Sequence, residues 1–152
     1  MAGVKSFVLQ PEEGDLPDPE QVEGGVSALD HVVVSTPNPD RLMATYGAKL
    51  GLDLRMDRTF PDWGARLLFF RVGDLILEVM HRLDGGEDPG GSDAIWGLSW
   101  RVDDLPAAQA RLRKAGLDVS DIRKGRKPGT QVLTVKSGTL GIPTLFIAKT
   151  DD

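Results

Sequence analysis

The residue in this chain best suited to chemistry is Glu78. It lies in Leu75-Ile76-Leu77-Glu78-Val79-Met80, where strand alternation puts Ile76, Glu78 and Met80 on one face. A carboxylate among aliphatic neighbours pays desolvation and demands a reason. Partial burial raises a carboxyl pKa, which suits a general base taking a proton from carbon beside a carbonyl. The chain holds two histidines and no cysteine, so a thiolate nucleophile, a thiolate metal site and a disulfide framework are excluded. His81 follows Glu78 by three residues and falls on the opposite strand face, where a solvent-facing or helix-side role is expected rather than a metal ligand. Ser99 and Arg101 alternate with Gly97 and share its face. Arg101 can clamp a substrate carboxylate, or pair with Asp103 or Asp104 at the strand end. Arg123-Lys124-Gly125-Arg126-Lys127-Pro128-Gly129 packs four bases into a Gly/Pro loop. Such a loop can close over a carboxylate or phosphate ester, with Arg126 as the residue to test, or be a solvated turn. Trp63, in the turn Pro61-Asp62-Trp63-Gly64, is the aromatic best placed to line a pocket mouth, with core or dimer packing as the default reading.

These side chains need elements to carry them. His31–Ser35 is a β-branched run and reads as a strand. Asn38 caps a helix with Pro39 at its first position; Leu42, Met43, Tyr46 and Leu50 follow at helical spacing and Gly51 ends it. Strands follow at 52–58, 65–72 and 75–82, the last two joined by a Gly73-Asp74 hairpin turn. After a Gly-, Asp- and Pro-rich connector the order returns. Ile95–Val102 is a strand, Asp104 caps a helix carrying Leu105, Ala108, Leu112 and Ala115, Gly116 closes it, and strands follow at 117–123, 131–136 and 143–149.

The halves match in residues as well as in order. Ala28-Leu29-Asp30-His31 lies over Ala94-Ile95-Trp96-Gly97, and Gly51-Leu52-Asp53-Leu54 over Gly116-Leu117-Asp118-Val119. A near-constant offset in both matches argues for an internal duplication. The expected fold is α+β: two tandem βαβββ modules whose curved mixed sheets enclose a cleft. An acidic N-terminal extension spans 1–26, the modules 27–83 and 94–150, and a flexible linker 84–93. Ser6-Phe7-Val8-Leu9 in the extension can pair as a short edge strand.

In these residues the chain resembles the vicinal oxygen chelate superfamily, which includes glyoxalase I, extradiol dioxygenases, methylmalonyl-CoA epimerase and the fosfomycin- and bleomycin-resistance proteins. The resemblance rests on Leu29-Asp30-His31-Val32-Val33-Val34, Tyr46 with Leu50-Gly51-Leu52, Leu75-Ile76-Leu77-Glu78-Val79, and Trp100-Arg101-Val102-Asp103-Asp104-Leu105. It implies metal ligands on the first and fourth strands of each module, holding a divalent ion such as Zn, Fe, Mn, Ni or Co that polarises substrate oxygens. His31 and Glu78 occupy these positions in the first module. In the second, Gly97 answers to His31, and Leu145, or Thr144 or Phe146 with the register shifted by one, answers to Glu78; none of these is a strong ligand. The metal is thereby put in question, and a dioxygenase, which needs a fuller donor set, is disfavoured. Without metal, Glu78 takes a proton next to a carbonyl and His31 holds or relays it; alternatively the two satisfy one another. Gly97 is expected to leave room for an organic ligand.

Three functions follow as expectations. The first is a lyase- or isomerase-type enzyme acting on a small oxygenated organic substrate. The second is a metal-free binding protein of the resistance type, and the third a relic that binds nothing. No nucleotide cofactor is expected. The net charge of −5 resides in residues 1–26, leaving a neutral body, so nucleic acid is disfavoured as a partner. No apolar run approaches the ~20 residues of a membrane helix. A cytoplasmic protein, paired as a homodimer as the resemblance implies, is the default.

Overall fold

In the computed structural model, residues 3–5, 7, 22–84 and 88–150 are described. The first module runs β1 (Val26–Ser35), α1 (Pro39–Leu42) continuing as a π-helical segment (Met43–Lys49), β2 (Asp53–Phe60), a 3-10 turn (Pro61–Trp63), β3 (Ala65–Val72) and β4 (Leu75–Arg82). The second runs β5 (Ala94–Val102), α2 (Leu105–Lys114), β6 (Arg123–Lys124), β7 (Thr130–Val135) and β8 (Thr144–Lys149). Among the described residues no helix is long and apolar enough to cross a membrane. Most of the acidic extension, with the short edge strand expected at Ser6–Leu9, lies outside the described residues.

Both helices start where their caps predict. Asn38 Oδ1 accepts the Arg41 N–H at 3.0 Å, and Asp104 Oδ1 accepts the Ala107 N–H at 2.8 Å. The first helix departs from regular geometry after one turn. The Leu50 N–H bonds Thr45 O at 3.1 Å, five residues back, and this wider turn rotates the residues beyond Tyr46 off the buried stripe. Leu50, expected on the apolar face, is consequently 44% exposed. The strand expected at 117–123 is also largely absent. Only a bridge between Val119 and Val135 and the two residues of β6 remain of it. Ser120 accounts for the break: its Oγ accepts the Thr134 N–H at 2.9 Å, a side chain standing in for a ladder partner.

The strands form one eight-stranded sheet in the order β2-β3-β4-β1-β5-β8-β7-β6. The two four-stranded sheets are therefore joined edge to edge, through antiparallel pairing of β1 with β5. Each helix covers one face of its own half. Val34, Leu42, Tyr46, Leu68, Phe70 and Val79 form one core, and Val102, Leu105, Ala108, Leu112, Leu133 and Phe146 belong to the other. Alternation leaves His31, Val33, Glu78, Gly97, Ser99 and Leu145 on the helix-free face. The sheet must curl about that face. Laid flat, β2 and β6 would stand about 34 Å apart at the usual strand spacing. Yet the Arg126 guanidinium, next to β6, sits 5.1 Å from the ring centre of Trp63, next to β2.

The connector is held to the first module over its described residues. Asp93, 8% exposed, accepts from Thr36 Oγ1 at 2.6 Å and from Arg41 Nη2 at 2.5 Å. Arg41 also donates to Gly91 O at 3.0 Å and Pro89 O at 3.3 Å.

Candidate functional site

The site residues sit where β4, β1, β5 and β8 run side by side. Val33 pairs with Glu78 on one side and with Gly97 on the other, while Ser99 pairs with His31 on one side and with Leu145 on the other. These pairings are related by a local two-fold. Exchanging the modules carries His31 to Gly97, Val33 to Ser99 and Glu78 to Leu145. The lateral register thus gives the same His31–Gly97 correspondence as the sequence offset, and it sets Leu145, one residue beyond that offset, opposite Ser99 as the counterpart of Glu78.

Glu78 is the centre of the helix-free face. Its register partners are Val33 and Phe69, and among the described residues no donor bonds its carboxylate. Burial pushes its pKa up, and a protonated His31 and the Arg126 guanidinium would only partly offset this. A carboxylate so placed is an acceptor in search of a proton.

His31 is half-buried, and its Nδ1 lies 2.9 Å from Asp30 Oδ2. Alternation would send Asp30 to the other face. A β-bulge prevents this: Leu29 pairs with Trp100 and His31 with Ser99, so Asp30 is an extra residue on β1. Arg101 donates to the same carboxylate, from Nη2 at 3.1 Å and Nε at 3.3 Å to Oδ1. Arg101 thus pairs neither with Asp103 nor with Asp104, and its guanidinium is engaged by Asp30 instead of standing free for a substrate carboxylate. Sequence reasoning missed Asp30 because nothing in the local residue pattern announces the bulge.

Ser99 is fully buried, and its Oγ has no hydrogen-bond partner among the described residues. An unmade bond at a buried hydroxyl costs about 1–3 kcal/mol, which marks Ser99 as a group whose partner is to be explained. Gly97 is buried too, but the room expected there is limited. A Cβ at Gly97 would come 3.3 Å from Pro143 O, which the Leu98 N–H holds at 2.9 Å. His81, on the far face of β4, gives its Nδ1–H to Thr36 O at 3.0 Å, as its structural role predicts.

Trp63 and Arg126, remote in sequence, meet across the mouth of the curl. Trp63 is 54% exposed and stacks on Phe60 with centroids 4.5 Å apart and planes 11° from parallel. Arg126 lies over the free face of this pair, and Arg58 lies 5.0 Å from the Phe60 ring centre. Two rings flanked by two guanidinium groups offer both an apolar platform and positive charge. Arg58 is not singled out by the sequence, because its place over the Phe60 ring depends on the turn geometry.

Could the site hold a divalent ion? His31 and Glu78 supply one imidazole and one carboxylate, while Gly97 and Leu145 supply nothing. Among the described residues no three His, Cys, Asp or Glu side chains converge. Catalytic zinc sites take three protein ligands, and calcium sites take six to eight oxygens. The donor set does not fit such an ion.

A family model described as the Glyoxalase/Bleomycin resistance protein/Dioxygenase superfamily matches residues 30–134. An ethylmalonyl-CoA/methylmalonyl-CoA epimerase of Cereibacter sphaeroides is 26% identical over 132 residues, which is 83% of this chain and 91% of that protein. Among solved structures, methylmalonyl-CoA epimerase from Mycobacterium tuberculosis matches with a TM-score of 0.63 and 23% identity, over 83% of this chain and 90% of that one. A variant of the Streptomyces coelicolor methylmalonyl-CoA epimerase in complex with 2-nitronate-propionyl-CoA matches with a TM-score of 0.62 and 16% identity, over 84% of this chain and 100% of that one. At these identities the structural likeness establishes the fold alone.

Proposed function

The chain belongs to the glyoxalase/bleomycin resistance protein/dioxygenase superfamily, and we propose that within it the protein is an isomerase-type enzyme. It acts on a small oxygenated organic substrate by moving a proton on carbon beside a carbonyl. The observation that carries this reading is the Glu78 carboxylate: half-buried, without a hydrogen-bond donor among the described residues, and raised in pKa at the centre of the helix-free face. Glu78 takes the proton, and His31 holds or relays it from the adjacent strand. The Ser99 hydroxyl, lacking a partner, donates to the substrate oxygen that gains charge as the proton leaves. Arg126, with Trp63 beneath it, takes an anionic part of the substrate at the mouth. Acyl-CoA thioesters, which the epimerase relatives carry in their names, meet these requirements and are the first substrates to try.

The stacked pair Phe60 and Trp63 favours a second reading, a metal-free binder of planar apolar molecules. The two are separated by incubating the protein with methylmalonyl-CoA or ethylmalonyl-CoA in D₂O and following deuterium at the α-carbon by mass spectrometry. The enzyme reading predicts catalysed exchange. Binding of flat apolar ligands with no exchange in any thioester would leave the binder.

A further inference from the structure

The Asp30 carboxylate touches His31 without itself facing Glu78 across the strand pair. Asp30 reaches the imidazole only because the β-bulge inserts it as an extra residue between two registered pairs. Its two oxygens are divided between partners: Oδ2 faces His31 Nδ1 at 2.9 Å and Oδ1 takes Arg101 at 3.1 Å. An ionised carboxylate only accepts hydrogen bonds, so the proton between it and His31 belongs to Nδ1. A neutral imidazole with its proton on Nδ1 carries its lone pair on Nε2, across the ring from Asp30. We propose that Asp30 is a positioning residue, which with Arg101 as its anchor fixes His31 in the Nδ1–H tautomer and presents Nε2 as the acceptor beside Glu78.

Three further observations support the assignment. Burial acts to raise the Asp30 carboxyl pKa, but the hydrogen bonds from His31 and Arg101 outweigh it and hold the group below the usual carboxylate range. Asp30 therefore stays ionised and able to accept at neutral pH. His31 shares the helix-free face with Glu78 from the adjacent strand, two residues along from Val33, the register partner of Glu78. Bulges beside reactive groups re-aim side chains, and here one turns two consecutive side chains toward each other. Orienting carboxylates of this kind fix both ring direction and tautomer. The catalytic meaning of the arrangement rests on the acid–base reading above; the tautomer itself does not.

The test uses ¹⁵N-labelled protein and long-range ¹H–¹⁵N correlation of its two imidazoles, in buffer alkaline enough to leave both neutral. His81 serves as the internal standard, since Thr36 O already fixes it as Nδ1–H. In the wild type, His31 is expected to show a pyrrole-like Nδ1 and a pyridine-like Nε2. In Asp30→Asn, Arg101 keeps the amide oxygen and the amide nitrogen turns to His31, so the two resonances exchange identity while those of His81 stay put. With methylmalonyl-CoA as probe, Asp30→Asn lowers kcat for α-proton exchange by about 10²–10⁴-fold at unchanged KM. A wild-type His31 protonated on Nε2 overturns the proposal, whether or not the variant folds. So does an inverted tautomer with undiminished exchange. Should the wild type show the Nδ1–H tautomer but exchange no thioester, the positioning stands and the acid–base reading fails.

Discussion

Replacing Glu78 with Gln separates a working base from a structural ion pair. The substitution keeps the shape and removes the charge. Glu78 lies mid-strand between Val33 and Phe69, with no donor on its carboxylate among the described residues, so the amide forfeits no hydrogen bond. Removing a half-buried charge that no protein donor meets stabilises by at most on the order of 1 kcal/mol. For a chain of this size that raises Tm by about 2–4 °C. The sign with pH is fixed by the direction of the pKa. The folded carboxyl titrates above its ordinary value of 4.5, so between the two values the native state retains a proton that the unfolded state has released. Wild-type stability therefore falls as pH rises through this window, and the Glu78→Gln advantage opens over the same range. Below the ordinary value both states are protonated and the advantage vanishes. Thermal unfolding by circular dichroism, as a pH series on both proteins, measures it. A Glu78→Gln protein less stable than wild type at neutral pH, with the deficit closing in acid, would refute the reasoning. It would mean that His31 and Arg126 more than compensate the carboxylate.

Arg126→Ala should weaken methylmalonyl-CoA binding by about 10–100-fold, the loss of one charge-assisted contact, and flatten its salt dependence; calorimetry at two ionic strengths reads both. Ser99→Ala should leave Tm level or raised, because the hydroxyl has no partner to lose, while lowering α-proton exchange by about tenfold or more. Asp93→Ala should lower stability by about 2 kcal/mol, less than for a fully buried pair because Arg41 is 29% exposed, and Tm by about 4–8 °C. Leu145→Glu supplies a carboxylate at the position related to Glu78, and calorimetry with Co²⁺ should show tighter binding than in wild type.

Much of this architecture was legible in the residues. Both helix starts followed from Asn38-Pro39 and Asp104, and the hairpin at Gly73-Asp74 from a glycine whose φ of +59° is disfavoured for other residues. The correspondence of His31 with Gly97 and Glu78 with Leu145 reappears in the strand register. What the residues could not give were features decided between segments. The widened turn that exposes Leu50, the interruption at Ser120 and the bulge at Asp30 each exchange a regular backbone bond for a particular local partner. Arg101 carries the residue type of a substrate clamp, yet its role depends on the bulge that delivers Asp30 to it. The meeting of Arg126 with Trp63 depends on how far an eight-stranded sheet curls, which no short motif encodes.

The central claim is that Glu78 moves a proton on carbon. The direct measurement is deuterium incorporation at the α-carbon of methylmalonyl-CoA in D₂O, run in parallel on wild type and Glu78→Gln after chelator treatment of both. Exchange is expected in the wild type, with a loss of about 10²–10⁴-fold in Glu78→Gln and both proteins folded. Equal exchange in the two proteins, or exchange in the wild type that chelation abolishes and added metal restores, would contradict it.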